Sequence, residues 1–146
     1  MISHAWTVVC EKCVIDQDSN NVFLDVLERL TITATEDVPR PEDNGVIMLP
    51  ARFTVVSLWY RDDPEVPAVG TTRSTFVDPT GRAIGRAEIE ADLRDYPRSR
   101  TRMSAQQLPY TVNGTYFVET EIEVEGGWQR VARVPLELEF RVETNE

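Results

Sequence analysis

The chain holds a single lysine, Lys12, and a single histidine, His4, in 146 residues. These are the commonest Schiff-base nucleophile and the commonest general base, so covalent and proton-shuttling catalysis has little to work with. The other basic residues, 14 of the 15, are arginine, which stays charged and grips anions but carries protons poorly. Cysteine is scarce too, with only Cys10 and Cys13. The opening Met1-Ile-Ser-His-Ala-Trp-Thr7 lacks a basic start followed by an apolar stretch. Together they predict a reducing, cytoplasmic setting. No apolar run approaches the roughly 20 residues of a membrane span. A formal charge of −10 repels phosphate backbones, which argues against nucleic acid and anionic membranes as partners.

Helical periodicity is nearly absent as well; what is present is period-two alternation broken by turn residues. The pattern predicts strands over Trp6–Ile15 and Val22–Thr33, joined as a hairpin by an Asp/Asn-rich turn. A long acidic connection, Ala34–Pro50, contains a short edge segment at 45–49. Further strands are predicted over Ala51–Tyr60, Thr71–Val77, Ala83–Asp95, Arg98–Leu108, Thr115–Glu125 and Trp128–Thr144. Asp78-Pro-Thr-Gly81 suits a type I turn, and Gly126-Gly127 a hairpin. Pro135 belongs at a bulge or an edge because it cannot donate to a ladder. About eight short strands predict an all-β, antiparallel β-sandwich in one domain over 1–146, with a small β-barrel as the alternative. A chain of this length buries roughly 70% of its unfolded surface, so it needs no disulfide, metal or cofactor to fold.

Several motifs invite a chemical reading. In Cys10-Glu-Lys-Cys13 the residues three apart point to opposite faces of a strand, so the thiols diverge and no redox or zinc pair forms. Asp16, Asp18 and Asn20 imitate the start of a calcium loop. However, Asn21 stands where such a loop wants glycine and Leu27 where it wants glutamate, so an Asx turn accounts for them. Asp62, Asp63 and Glu65 put three carboxylates on one loop, the raw material of a hydrolase, but a solvated turn explains them better. Asn113-Gly-Thr115 reads as a turn, and His4 lies near a terminus expected to be mobile. Trp59 and Tyr60 are strand neighbours, so one faces the core and the other outward, where it is a candidate partner anchor. Glu119, Glu121, Glu123 and Glu125 share one strand face; Arg98, Arg100 and Arg102 share another. Each row is expected to find opposite charge beside it, with Glu123 facing Arg130 across the Gly126-Gly127 turn.

The run Cys10-Glu-Lys-Cys-Val-Ile-Asp16, its polar turn and Val22-Phe-Leu-Asp-Val-Leu-Glu-Arg-Leu30 resemble the opening of a family of small uncharacterised bacterial proteins, a domain of unknown function. Val77-Asp-Pro-Thr-Gly81, Gly114-Thr-Tyr116 and Pro135-Leu136 are similar to later parts of the same pattern. The resemblance implies a β-sandwich and carries over no catalytic residue. Gly114-Thr-Tyr116 also resembles the tyrosine corner of immunoglobulin-like sandwiches, with Val112 where that motif often has aspartate.

The function these features favour is a non-enzymatic protein-interaction module. It would meet a protein partner, or a second copy, through Arg98, Arg100 and Arg102 and the loops Ala34–Pro50 and Arg61–Gly70. The alternatives are a small-ligand or carbohydrate binder using Tyr60 and the loop carboxylates, and a hydrolase built on Asp62, Asp63 and Glu65.

Overall fold

In the computed structural model the described residues are 1–34, 41 and 44–143. They form an all-β, barrel-like sandwich of eleven strands: β1 (Ile2–Ile15), β2 (Asn21–Val26), β3 (Arg29–Ala34), β4 (Ile47–Leu49), β5 (Phe53–Arg61), β6 (Ala68–Val77), β7 (Ala83–Leu93), β8 (Arg98–Ala105), β9 (Leu108–Tyr110), β10 (Gly114–Val124) and β11 (Gly127–Val142). One sheet has the order β2-β1-β5-β8, the second β3-β11-β10-β6-β7, and β4 pairs with β9 in a two-stranded ribbon. Among the described residues no helix is long and apolar enough to cross a membrane.

The core lies between the two large sheets, where the alternation in each strand sends its apolar members inward. Val9 and Val55 of the first sheet meet Phe76, Tyr116, Val118, Leu136 and Leu138 of the second, with Leu49, Leu108 and Tyr110 of the ribbon plugging one end. Toward the other end Trp59 packs on Ala91, Leu93 and Ile122.

The expected strand Val22–Thr33 is in fact two strands in different sheets. Asp25 adopts φ 53°, the Leu27 N–H bonds the Val9 carbonyl, and the Glu28 carbonyl accepts from Glu137 N–H. The chain therefore crosses between sheets at Leu27-Glu28, and β3 runs parallel to β11. This one parallel pair departs from the antiparallel expectation. The crossing lets Leu27, Leu30 and Ile32 pack on the core. Residues 35–40 and 42–43 of the expected Ala34–Pro50 connection, and the expected end of the last strand at Thr144, lie outside the described residues, while the edge segment expected at 45–49 is β4.

His4 is not at a loose terminus. It belongs to β1 opposite Trp59, bonds Thr7 Oγ1 through Nε2 at 2.7 Å, and sets its ring edge-on to the indole at 5.1 Å. The expected loop Arg61–Gly70 is shorter, Asp62–Pro67, because β5 and β6 extend into it. Pro135 precedes the parallel ladder that begins at Glu137, so β11 has one neighbour there and the missing N–H costs no bond.

The tyrosine corner forms. Buried Tyr116 accepts from the backbone N–H of Thr111 (2.9 Å) and Val112 (3.1 Å) and donates to the Val112 carbonyl (2.6 Å). Gly114, with φ 149°, is needed in this turn because a Cβ there would stand 2.9 Å from Pro79 Cγ. Asn113 is spent on structure: its Oδ1 accepts from Phe140 N–H at 2.7 Å and from the Tyr110 hydroxyl at 2.9 Å.

Candidate functional site

The outer face of the β2-β1-β5-β8 sheet gathers most of the singled-out residues. Directly paired residues of antiparallel strands share a face. The register sets Arg98 beside Tyr60, Arg100 beside Leu58 and Arg102 beside Val56, and continues to Trp6 and Val8 on β1. An apolar floor thus lies under an arginine row. Trp59 is fully buried on the inner face while Tyr60 is 43% exposed on the outer one, as strand alternation requires.

The cysteines correct the expectation of diverging thiols. Cys10 is 0% and Cys13 7% exposed, and both pack in one cluster with Val56, flanked by Trp6, Val8 and Phe23. Alternation fails between them at Glu11. There β1 leaves its ladder with β5, the Glu11 carbonyl takes the Thr54 hydroxyl at 3.4 Å, and positive-φ Asp25 lies across the hairpin. Burial, then the adjacent Cys13 thiol, pushes the Cys10 thiol up to about 11. Its thiolate is then on the order of one part in a thousand at about pH 8. Iodoacetamide at that pH should label Cys10 in the native protein roughly 100-fold more slowly than in the urea-unfolded chain. Rapid native labelling of either thiol, read by mass spectrometry, would contradict this burial.

Two hollows flank Arg100 on this face. One, of about 260 Å³, is lined by Cys13, Ile15, Asn21, Val56 and Arg102 together with Arg100. The other, of about 300 Å³, is lined by Trp6, Asn20, Phe23, Leu58 and Arg98, again with Asn21 and Arg100. Between them Arg100 reaches across the sheet, its Nη2–H donating to the Ser19 carbonyl, while its buried Nε–H has no partner among the described residues.

The Asp16–Asn20 turn that Arg100 touches is an Asx turn. Asp16 Oδ1 accepts from Asp18 N–H and Asn20 N–H, both at 2.9 Å, and Ser19 takes φ 63°. Among the described residues no cluster of three or more His, Cys, Asp or Glu is placed to hold a metal ion.

Asp62, Asp63 and Glu65 do not converge. Asp62 accepts from the Ser3 hydroxyl, and Asp63 Oδ1 accepts from Glu65 N–H at 3.0 Å in an exposed turn. None of the three lines the hollows beside the arginines.

The two charged rows behave differently. In the glutamate row, Glu121 takes a two-point grip from Arg73 at 3.1 Å and a bond from Thr75 at 3.2 Å. The Arg73 bond holds its carboxyl below the usual range against the opposing effect of burial. Glu119 pairs with Arg130 at 2.8 Å and Arg133 at 3.5 Å. Arg73 also lies over the Trp128 ring and Arg133 over Phe117, at 4.1 and 3.5 Å. Glu123 faces Trp128 rather than Arg130, because the turn centres on Glu125-Gly126 and shifts the register by two residues.

The arginine row has no such neutralisation. Among the described residues, none of Arg98, Arg100 and Arg102 lies within ion-pair distance of a carboxylate. Among the described residues, the one acceptor reached by the side chains of the three is the Ser19 carbonyl. Like charges two residues apart on a strand, about 7 Å, repel by about 0.6 kcal/mol in water-like dielectric. Sequence reasoning found these residues but expected acids beside them. The acids went instead to the other sheet.

No protein-family model and no curated protein sequence matches the chain.

Proposed function

We propose that this chain is a non-catalytic interaction module that receives an anionic protein partner on the Arg98-Arg100-Arg102 face. The observation that carries this is the row of three arginines without carboxylate partners among the described residues, in a chain with 25 acidic residues. Three adjacent positive charges over an apolar floor repel one another when free and gain when an anion arrives, which favours binding over stability. Trp6, Leu58 and half-exposed Tyr60 supply apolar and aromatic contact beside the charges. An immunoglobulin-like relationship is supported by the tyrosine corner. A cytoplasmic site of action rests on the buried, unpaired thiols.

The triple variant R98E/R100E/R102E tests the docking face. It should stay folded by circular dichroism and lose about 1 kcal/mol of unfolding free energy with the Arg100–Ser19 bond, the exposed Arg98 and Arg102 contributing little. Its affinity for a polyglutamate probe should fall roughly 100-fold at low salt, where exposed charges are least screened. Equal capture of polyglutamate, and of every cellular partner, by parent and variant would remove this face from consideration.

A further inference from the structure

Strand β8 is an edge. Among the described residues it pairs with β5 alone, so along its eight residues one flank of backbone donors and acceptors has no strand paired to it there. Its two faces differ sharply. Outward it carries Arg98, Arg100 and Arg102; inward, Met103 and Ala105 border an apolar cleft of about 160 Å³ toward β7, walled by Phe53, Val55, Phe76 and Ala87. A cleft of that size elsewhere accepts a benzene-sized group.

Resting on the docking face proposed above, we infer that the partner binds as an extended segment of alternating acidic and apolar residues that adds to the free edge of β8. Each feature of the edge demands one part of that pattern. The unpaired backbone asks for an extended chain. Arginines at every second position ask for acids at every second position, because directly opposed residues on adjacent strands stand side by side. The inward cleft, beside Met103 and Ala105, asks for an aliphatic residue next to the acid that meets Arg102, since alternate side chains of an added strand point to the opposite face. Exposed Arg98 and Arg102 meet the acids directly, while Arg100, which leans across the sheet to the Ser19 carbonyl, joins them by leaving that acceptor. Positive charge on an edge ordinarily guards it against pairing. Here it turns away another arginine-bearing edge and admits an acidic one.

The rival occupant is a second copy of this chain. Its β7 edge carries Glu88, Glu90 and Asp92, but Arg94 already pairs with two of them.

The probe is a seven-residue capped peptide of alternating glutamate and valine, followed by fluorescence anisotropy with the full chain. Binding should weaken about tenfold between roughly 50 and 300 mM salt. R98E/R102E should weaken it roughly 30-fold while leaving the fold intact by circular dichroism. Methylating alternate peptide amides, or replacing valine by glycine, should also abolish most of the binding. The proposal is overturned if the alternating peptide does not bind, or if methylated and glycine peptides bind as well as it does. In the second case continued loss with R98E/R102E would leave the docking face standing. Indifference of every acidic probe to R98E/R102E would take that face down too. Salt-sensitive self-association that R98E/R102E abolishes, measured by sedimentation, would give the edge to a second copy and likewise overturn the proposal.

Discussion

Cutting Trp59 back to alanine should lower the unfolding free energy by about 3–5 kcal/mol, the range for deleting a buried large aromatic. The indole is fully buried among Ala91, Leu93 and Ile122, and its N–H donates to Thr101 Oγ1 at 3.0 Å. These neighbours sit on β7, β8 and β10, so the void can close only if two sheets approach each other, and their other contacts prevent that. Trp59→Phe separates volume from hydrogen bonding: it keeps a ring but strips the bond to Thr101, for a loss of about 1–2 kcal/mol. Urea denaturation reads both. Since domains of this size are stable by only about 5–15 kcal/mol, the alanine variant should melt far below the parent. An unchanged urea midpoint would mean that this end of the sandwich contributes nothing to cooperativity.

Asp78→Ala should cost about 3 kcal/mol, because one buried carboxylate ties two turns together. Asp78 Oδ1 accepts from Thr80 N–H (2.9 Å), Thr80 Oγ1 (2.7 Å) and Arg82 N–H (3.0 Å), while Oδ2 accepts from Thr111 Oγ1 at 2.6 Å. The last bond fastens the β6–β7 hairpin to the turn before β10, two segments 33 positions apart in sequence. Burial pushes the carboxyl pKa up, but the bonds from Thr111, Thr80 and the backbone of Arg82 and Thr80 outweigh it and hold it below its ordinary 3.8. A folded pKa below the unfolded one means the contribution is whole above about pH 4–5 and is lost as pH falls through the folded value. Asp78→Asn, which cannot titrate, should therefore be clearly less stable than the parent at neutral pH. The gap should narrow below pH 3.8, where the parent's carboxyl begins to take up its proton. Melting curves of the pair across that range check the sign, and a gap that widens in acid would contradict it.

Much of this fold is legible along the chain because strand alternation is a local signal. It put Trp59 and Tyr60 on opposite faces; Pro79 and Gly81 marked the Asp78–Gly81 turn, and the resemblance of Gly114-Thr-Tyr116 to a tyrosine corner singled out Tyr116. The Asx turn at Asp16 was legible for the same reason, its bonds spanning two to four residues. The arginine row was visible too, as three like side chains at even spacing.

Alternation fixes which face a side chain takes, but not which strand lies beside it. The crossing at Leu27-Glu28 depends on Val9 and Glu137, far off in sequence, accepting and donating backbone bonds there. The shared burial of Cys10 and Cys13 depends on β1 leaving β5 at Thr54. Arg73, 48 positions from Glu121, reaches it only because β6 and β10 pair. The sequence by itself determined an all-β chain, its tight turns at Asp16–Asn20 and Asp78–Gly81, and the charge on each strand face. Tertiary structure alone decided which charges are neutralised, since that follows from long-range strand order, and so left Arg98, Arg100 and Arg102 on an open edge.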